Sequence, residues 1–380
     1  MEPLHVKIFK REWIKYKNKF EKGYIKMSKL TSRERVLRAA HHSKEIDRPP
    51  YLYRADPSVT ETVMKSKGFK NISELYDYYD IDTQHVSVIY NSVETKPCDI
   101  KDCYYDMFGN LHKTASNPDG SYVTNAIIKP VFENIGDIDY IKSFPFPNDN
   151  IVNVDQSVKN AENAAMSGRA IVGGVWASLF TQSRSLLGEE RFLCSLYDEP
   201  ELIHALVSRI TDMYISWNET YLKNCGKYID IYYFGSDFGT QSSMFISTEH
   251  YVKFFKENMR RIISSAKKYV GTVMFHTCGA VFDLIPHLID IGVDILDPVQ
   301  ADAFKMSPEI LAENYKGKIC FHGAVSTQTT LPFQTPEEIS GQVKKIIQTL
   351  GSSGLIIGPD QDMIGHVPVE NIDALYGKNR

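Results

Sequence analysis

The sequence predicts an α/β fold, a (β/α)8 barrel of TIM type, and three observations carry that expectation. Eight short apolar runs recur along the chain, amphipathic helical patterns separate the later ones, and polar residues collect just after the runs. An open doubly wound sheet would share the local pattern. No Gly-x-Gly-x-x-Gly or Walker-type loop succeeds any run, however, and this favours the closed form.

At the amino end, residues 1–27 differ in character from the rest of the chain. Between Lys7 and Lys26 eight lysines and arginines stand against two glutamates, with Phe9, Trp13, Tyr16, Phe20 and Tyr24 at near-helical spacing. This reads as a basic amphipathic extension: a membrane-surface or partner-binding helix, a helix packing its aromatics on the domain, or sequence ahead of a start at Met27. Residues 28–380 are expected to form one barrel domain. Thr31 or Ser32 with Glu34 opens a capped helix running to Ala40, closed by Asp47-Arg48-Pro49-Pro50. Strands are expected at Tyr51–Tyr53, His85–Tyr90, Ala170–Trp176, Ile229–Phe234, Thr272–Phe275, Asp294–Leu296, Lys318–Phe321 and Gly354–Ile357. Helices are expected at Glu249–Lys268, Val281–Ile291, Pro308–Tyr315 and Pro336–Leu350. The stretch 102–133 interrupts the alternation and reads as a hairpin insertion turning at Asn117-Pro118-Asp119-Gly120.

Composition narrows the function. At 43% apolar and 24% charged the chain is ordinary globular protein, and its net charge of −4 gives no global case for binding nucleic acid or an anionic membrane. The longest nearly apolar stretch, Ala170 to Phe180, is too short to span a bilayer, so no stable membrane insertion is expected. Six cysteines in 380 residues are too sparse for a disulfide framework and read as reduced thiols of a cytoplasmic protein.

The chemistry is expected at the carboxyl ends of the strands, where barrels keep their active sites. His276 and Cys278 stand two residues apart at a strand end, so they share a side, and imidazole and thiolate are both good zinc ligands. Asp237 and Gln241, Asp297 and Gln300, His322, and Asp360, Gln361 and Asp362 come after neighbouring runs and would complete a pocket; any one aspartate alone would read as a helix cap.

Ser32-Arg33-Glu34-Arg35-Val36-Leu37-Arg38-Ala39, Asp47-Arg48-Pro49-Pro50, Phe275-His276-Thr277-Cys278-Gly279, Asp294-Ile295-Leu296-Asp297-Pro298-Val299-Gln300 and Pro368-Val369-Glu370-Asn371-Ile372, in that order, resemble the uroporphyrinogen decarboxylase superfamily over about residues 28 to 376. The insertion around Phe108-Gly109 and the His-x-Cys-Gly motif resemble its methylcobamide:coenzyme M methyltransferase-like branch more closely than the heme-pathway decarboxylase. The resemblance implies a (β/α)8 barrel and zinc held by His276 and Cys278, with a later cysteine as third ligand. Gln361 stands in that cysteine's place, leaving Gln361, Asp360, Asp362 or His366 as the expected third donor. Of the two arginines in the segment with which the decarboxylase grips carboxylates, only Arg54 is present; Ser58 replaces the second.

The activity implied by the resemblance is transfer of a methyl group from a corrinoid carried by a partner protein to a small thiol-type acceptor. Asp237, Asp297 and Gln300 would act as catalytic positioning groups, and Arg54, Gln241, His322 and Gln361 would line the substrate. Two other activities fit the superfamily: decarboxylation of uroporphyrinogen or another polyacid, and a metal-free accessory role in a corrinoid system.

Overall fold

The computed structural model describes residues 30–116 and 123–378; the basic extension over 1–27 and the turn Asn117–Gly120 lie outside them. Ten strands are present among the described residues: β1 (Thr83–Val86), β2 (Cys103–Tyr105), β3 (Leu111–Ser116), β4 (Val123–Lys129), β5 (Ala170–Gly173), β6 (Ile231–Gly235), β7 (Thr272–His276), β8 (Ile295–Val299), β9 (Cys320–Val325) and β10 (Leu355–Pro359). Seven of them form one parallel sheet in the order β1-β5-β6-β7-β8-β9-β10. Each lies beside its predecessor around the curl, as right-handed crossovers through helices require. The sheet is the curled wall of a TIM-type barrel, as the sequence predicts.

The remaining expected strand, Tyr51–Tyr53, bridges the gap. Leu52 N donates to Ile357 O and Ile357 N to Pro50 O, each at 2.9 Å, while on the other side Asp82 N donates to Tyr51 O at 2.9 Å. Pro49 and Pro50 bring no N–H groups, which limits this ladder to an isolated bridge rather than a full strand.

The helices Pro308–Tyr315 and Pro336–Leu350 have the expected bounds, and Thr335 with Glu338 caps the second by mutual hydrogen bonds. The helix expected at Glu249–Lys268 contains a wider π segment, Tyr251–Lys256, between α-helical Thr248–His250 and Glu257–Ala266. The insertion has one strand more than a hairpin. β2, β3 and β4 make an antiparallel meander, and the β2–β3 turn is held by the Asp106 carboxylate, which accepts from Phe108 N and Asn110 N at 2.9 Å each.

The core lies in two places. Most buried apolar side chains pack between the sheet and its helices. A separate cluster fills the cylinder itself: Leu52, Ala170, Val172, Ile231, Met274, Ile295, Cys320 and Ile356, all fully buried, with Val36 and Ala40 of the helix Ser32–Ala40 closing the bottom. Counting two residues onward along each strand, by the period of the pleat, gives the layer above: Arg54, Gly174, Tyr233, His276, Asp297, His322 and Gly358, with His85 at the matching place on β1. An apolar plug thus supports a polar ring.

The amino-terminal motifs are structural. Arg35 forks onto Asp47, Nε to Oδ1 at 2.7 Å and Nη2 to Oδ2 at 2.8 Å, and its Nη1 reaches the completely buried Asp82 at 2.6 Å. Asp82 Oδ2 also accepts from Arg48 Nη1 at 2.7 Å and from Tyr51 N at 2.9 Å, so one carboxylate ties the bottom helix, the proline turn and the closing bridge to β1. Replacing it takes from the buried Arg35 one of its two carboxylate partners and leaves Tyr51 N without its acceptor, and breaking a buried ion pair is costly. Asp82→Ala is expected to lower unfolding free energy by about 3–5 kcal/mol. Arg33→Ala, removing a half-exposed partner of Asp230 at the same end, is expected to cost less than about 1 kcal/mol. Urea titration of the two variants beside the parent checks this difference.

Candidate functional site

The site is built on the polar ring. β7 ends at His276, and the chain then turns so that the Cys278 sulfur lies 3.3 Å from His276 Nε2. Gly235 of β6 pairs with His276, and two residues later Asp237 brings Oδ1 within 3.5 Å of the same Nε2. That oxygen also accepts from Cys278 N at 3.0 Å, which fixes the turn. Gly235 is needed for the approach: a Cβ there would overlap His276 Cβ and come within 2.9 Å of the Trp176 ring.

Asp297 on β8, completely buried, sits beneath these groups. Its Oδ2 accepts from His276 Nδ1 at 2.8 Å, Tyr233 OH at 2.7 Å and Arg54 Nη2 at 3.0 Å; its Oδ1 accepts from His322 Nδ1. Burial alone would push this carboxyl up, but Arg54, His322 and His276 hold it well below the usual carboxylate range. The same field acts in reverse on its neighbours. Burial opposes the Arg54 charge, yet Asp297 holds the guanidinium protonated beyond its ordinary strength, and burial beside Asp297 pushes the Tyr233 phenol up.

Because His276 Nδ1–H donates a hydrogen bond to Asp297, Nε2 carries the lone pair and directs it at Cys278 and Asp237. Among the described residues, one group of three His, Cys, Asp or Glu donor atoms lies within a 4.8 Å span, that of Asp237, His276 and Cys278. Burial, and then Asp237, push the Cys278 thiol up. Held up in this way, the thiol keeps its proton and shares it with the His276 and Asp237 lone pairs, and a divalent cation could take that proton's place; nitrogen, sulfur and oxygen in this set suit zinc.

The other expected third donors are placed differently. Gln361 touches the site through its amide, Nε2 to the Cys278 sulfur at 2.8 Å. Asp360 is turned away: buried, its carboxyl pushed up to about 6 by that burial, it accepts from Thr327 N and Oγ1 at 2.9 Å each. Asp362 and His366 are exposed and outside the three-donor group.

Gln300 accepts from Gly279 N at 2.5 Å and so pins the turn that carries Cys278. His322 is fully buried, its Nε2 without a hydrogen-bond partner among the described residues and its imidazole pushed down by burial; a side chain at Gly358 would come within 2.8 Å of that nitrogen. It donates to Asp297 from the neighbouring strand. Gln241 stands exposed on the loop after β6, joined to the loop after β8 by Phe304 N donating to its carbonyl at 3.0 Å.

Three residues that no motif singles out also face the site. Trp176 packs its ring 5.5 Å from His276 and 5.2 Å from Tyr233, with 44% of its surface exposed at the mouth. Tyr233 donates a hydrogen bond from its hydroxyl to Asp297. His85 lies edge-on to Tyr233 at 5.3 Å. The pleat period, two residues beyond Ile231 and Thr83, is the available signal for the last two.

Comparison with known proteins agrees with this architecture. The sequence model of the uroporphyrinogen decarboxylase (URO-D) family matches residues 31–378. Among solved structures, a methyltransferase from Methanosarcina mazei is similar with a TM-score of 0.63 and 16% identity, covering 92% of this chain and 98% of that one. A B12-independent methionine synthase from Shewanella sp. W3-18-1, in complex with selenomethionine, is similar at a TM-score of 0.44 and 14% identity, covering 87% and 94%. No curated protein matches the sequence. The five motifs, the plugged cylinder and a match running through nearly all of the described residues together make the chain a member of the uroporphyrinogen decarboxylase (URO-D) family.

Proposed function

We propose that the protein is a zinc-dependent methyltransferase that moves a methyl group from a corrinoid, carried by a partner protein, to a small thiol. The observation that supports this most is the convergence of Asp237 Oδ1, His276 Nε2 and Cys278 Sγ above the Asp297 carboxylate. Asp237, His276 and Cys278 would hold the zinc, with Asp237 taking the place of the family cysteine. Zinc bound there supplies the Lewis acidity that keeps a thiol ionised at neutral pH. The chain's own residues do the rest. Asp297 holds the His276 tautomer, and Tyr233 and Arg54 hold Asp297. Gln361 donates to the Cys278 sulfur and stabilises its thiolate, Gln300 fixes the Cys278 turn, and Trp176 keeps bulk water from one side. Transfer to a thiolate needs in-line placement more than proton transfer, so a rigid ring of this kind suits it.

The geometry favours the polyacid decarboxylase reading less. Ser58 does not face the barrel with Arg54: its N and Oγ both donate to Asp56, which caps the helix Pro57–Lys67. A single guanidinium already committed to Asp297 is a weak grip for eight carboxylates.

Two outcomes are expected. Metal analysis should give about one zinc per chain, with Asp237→Ala, His276→Ala and Cys278→Ala each abolishing it. Asp297→Asn should weaken zinc about 10–100-fold in chelator competition by releasing the His276 tautomer, and Gln361→Ala should weaken it less. Zinc-loaded protein given methylcobalamin and a thiol should form the thioether as the methyl–cobalt absorbance disappears, and His276→Ala should not. Carbon dioxide released from uroporphyrinogen, with no thioether formed, would establish the decarboxylase instead.

A further inference from the structure

The basic extension is the motif that neither the barrel nor the proposed chemistry absorbs. It lies outside the described residues, but its sequence separates two kinds of side chain. Phe9, Trp13, Tyr16, Phe20 and Tyr24 follow one another at steps of four, three, four and four residues, which a helical period puts on one side. By the same period Lys7, Arg11, Lys15, Lys22 and Lys26 fall on the other side, and Lys10 and Lys17 beside the aromatic stripe.

The structure shows where this segment is attached. Leu30, the first described residue, accepts from Arg35 Nη2 at 2.9 Å, just ahead of the helix Ser32–Ala40 that closes the bottom of the cylinder. Lys26 precedes it by four residues, a reach of at most about 14 Å, so the extension starts at the closed end and away from the polar ring.

That end of the barrel carries cations of its own. In the loops that lead into the strands, the carboxylates of Glu45, Asp47, Asp80, Asp82, Asp230 and Asp294 are each paired with a lysine or an arginine. Lys44, Lys316 and Lys318, in the same loops, are exposed and have no carboxylate partner among the described residues. Lys316 and Lys318 donate only to the helix-end carbonyls of Thr349 and Asn314, at 2.7 and 2.9 Å. Met166, after the helix Val154–Ala165 and before β5, leaves 76% of its surface exposed at this end.

We propose that the closed end of the barrel docks on an anionic lipid surface, held by the aromatic stripe of the extension at headgroup depth and by the lysines of the extension and of the strand-entry loops. Tryptophan and tyrosine rings favour the boundary between hydrocarbon and water, and lysine stems lie along it while their ammonium groups reach lipid phosphates. The contact is peripheral, since no helix among the described residues is long and apolar enough to cross a membrane. A few loop lysines alone attract such a surface weakly, but the short tether makes them and the extension one two-part contact. Nucleic acid is the other polyanion that takes aromatic side chains. It needs rings and cations along one groove, however, whereas most of the cations here fall opposite the rings. The docking does not depend on the methyltransferase reading, and it leaves the mouth facing solvent.

Co-sedimentation of the full chain with lipid vesicles tests this. Vesicles of phosphatidylcholine with about one-third phosphatidylglycerol should bind it at least about tenfold more tightly than phosphatidylcholine alone, and about 0.5 M salt should remove most of that difference. The double variant Trp13→Ala, Phe20→Ala should weaken binding to the anionic vesicles by about tenfold or more. Lys44→Ala and Lys316→Ala, both on the barrel itself, should each weaken it by about fivefold, and Lys316→Arg should not. All four proteins should keep the parent's far-UV spectrum and melting temperature. Equal binding to neutral and anionic vesicles, parent-like binding by the aromatic variant, or tighter binding to a single-stranded oligonucleotide than to vesicles would overturn the docking. Losses confined to the extension, with both barrel lysines silent, would overturn the seating of the closed end on the bilayer.

Discussion

A carboxylate taken wholly out of water must be matched by donors, and Asp297 is matched by four: Arg54, Tyr233, His276 and His322, from four different segments of the barrel. Breaking any one of these bonds leaves a buried charge short of a partner, so the four side chains are held in mutual register. That constraint orders the site. It sets which His276 nitrogen is free, keeps Arg54 charged in the interior, and aims the Tyr233 hydroxyl downward so that its ring, not its oxygen, faces His85 and Trp176.

A second buried carboxylate does comparable work at the opposite end. Asp82 joins the first helix, the proline turn and the closing bridge, and this explains why the amino-terminal motif is rich in arginine although nothing there faces the pocket. The apolar plug separates the two ends. The paired charges at the two ends of the cylinder thus have hydrocarbon between them.

Much of this is legible in the sequence. The eight apolar runs mark the wall of the barrel, because a strand covered on both faces reads as continuous hydrocarbon. The His-x-Cys spacing and the polar residues after each run locate the rim. Sequence reasoning looks for a third donor beyond the last strand, at Gln361 and its neighbours; in the structure the carboxylate that meets His276 and Cys278 is that of Asp237. The reason is register: Gly235 pairs with His276, so the residue two beyond Gly235 arrives beside His276 and Cys278 from the adjacent strand. No single-strand pattern carries that information. Tyr233, His85 and Trp176 escape notice because aromatic residues within or beside apolar runs look like core, and only the alternation of inward and outward positions distinguishes them. Asp360 illustrates the reverse case, a strand-end aspartate whose carboxylate serves the local backbone at Thr327.

The hydrocarbon that stops up the cylinder from Leu52 to Ile356 gives the polar ring a floor and leaves the carboxyl ends of the strands as its side toward solvent. Such a vessel imposes an order of traffic. A small molecule bound at the ring would have to enter before any larger body covered the opening, and could leave only after that body had lifted away.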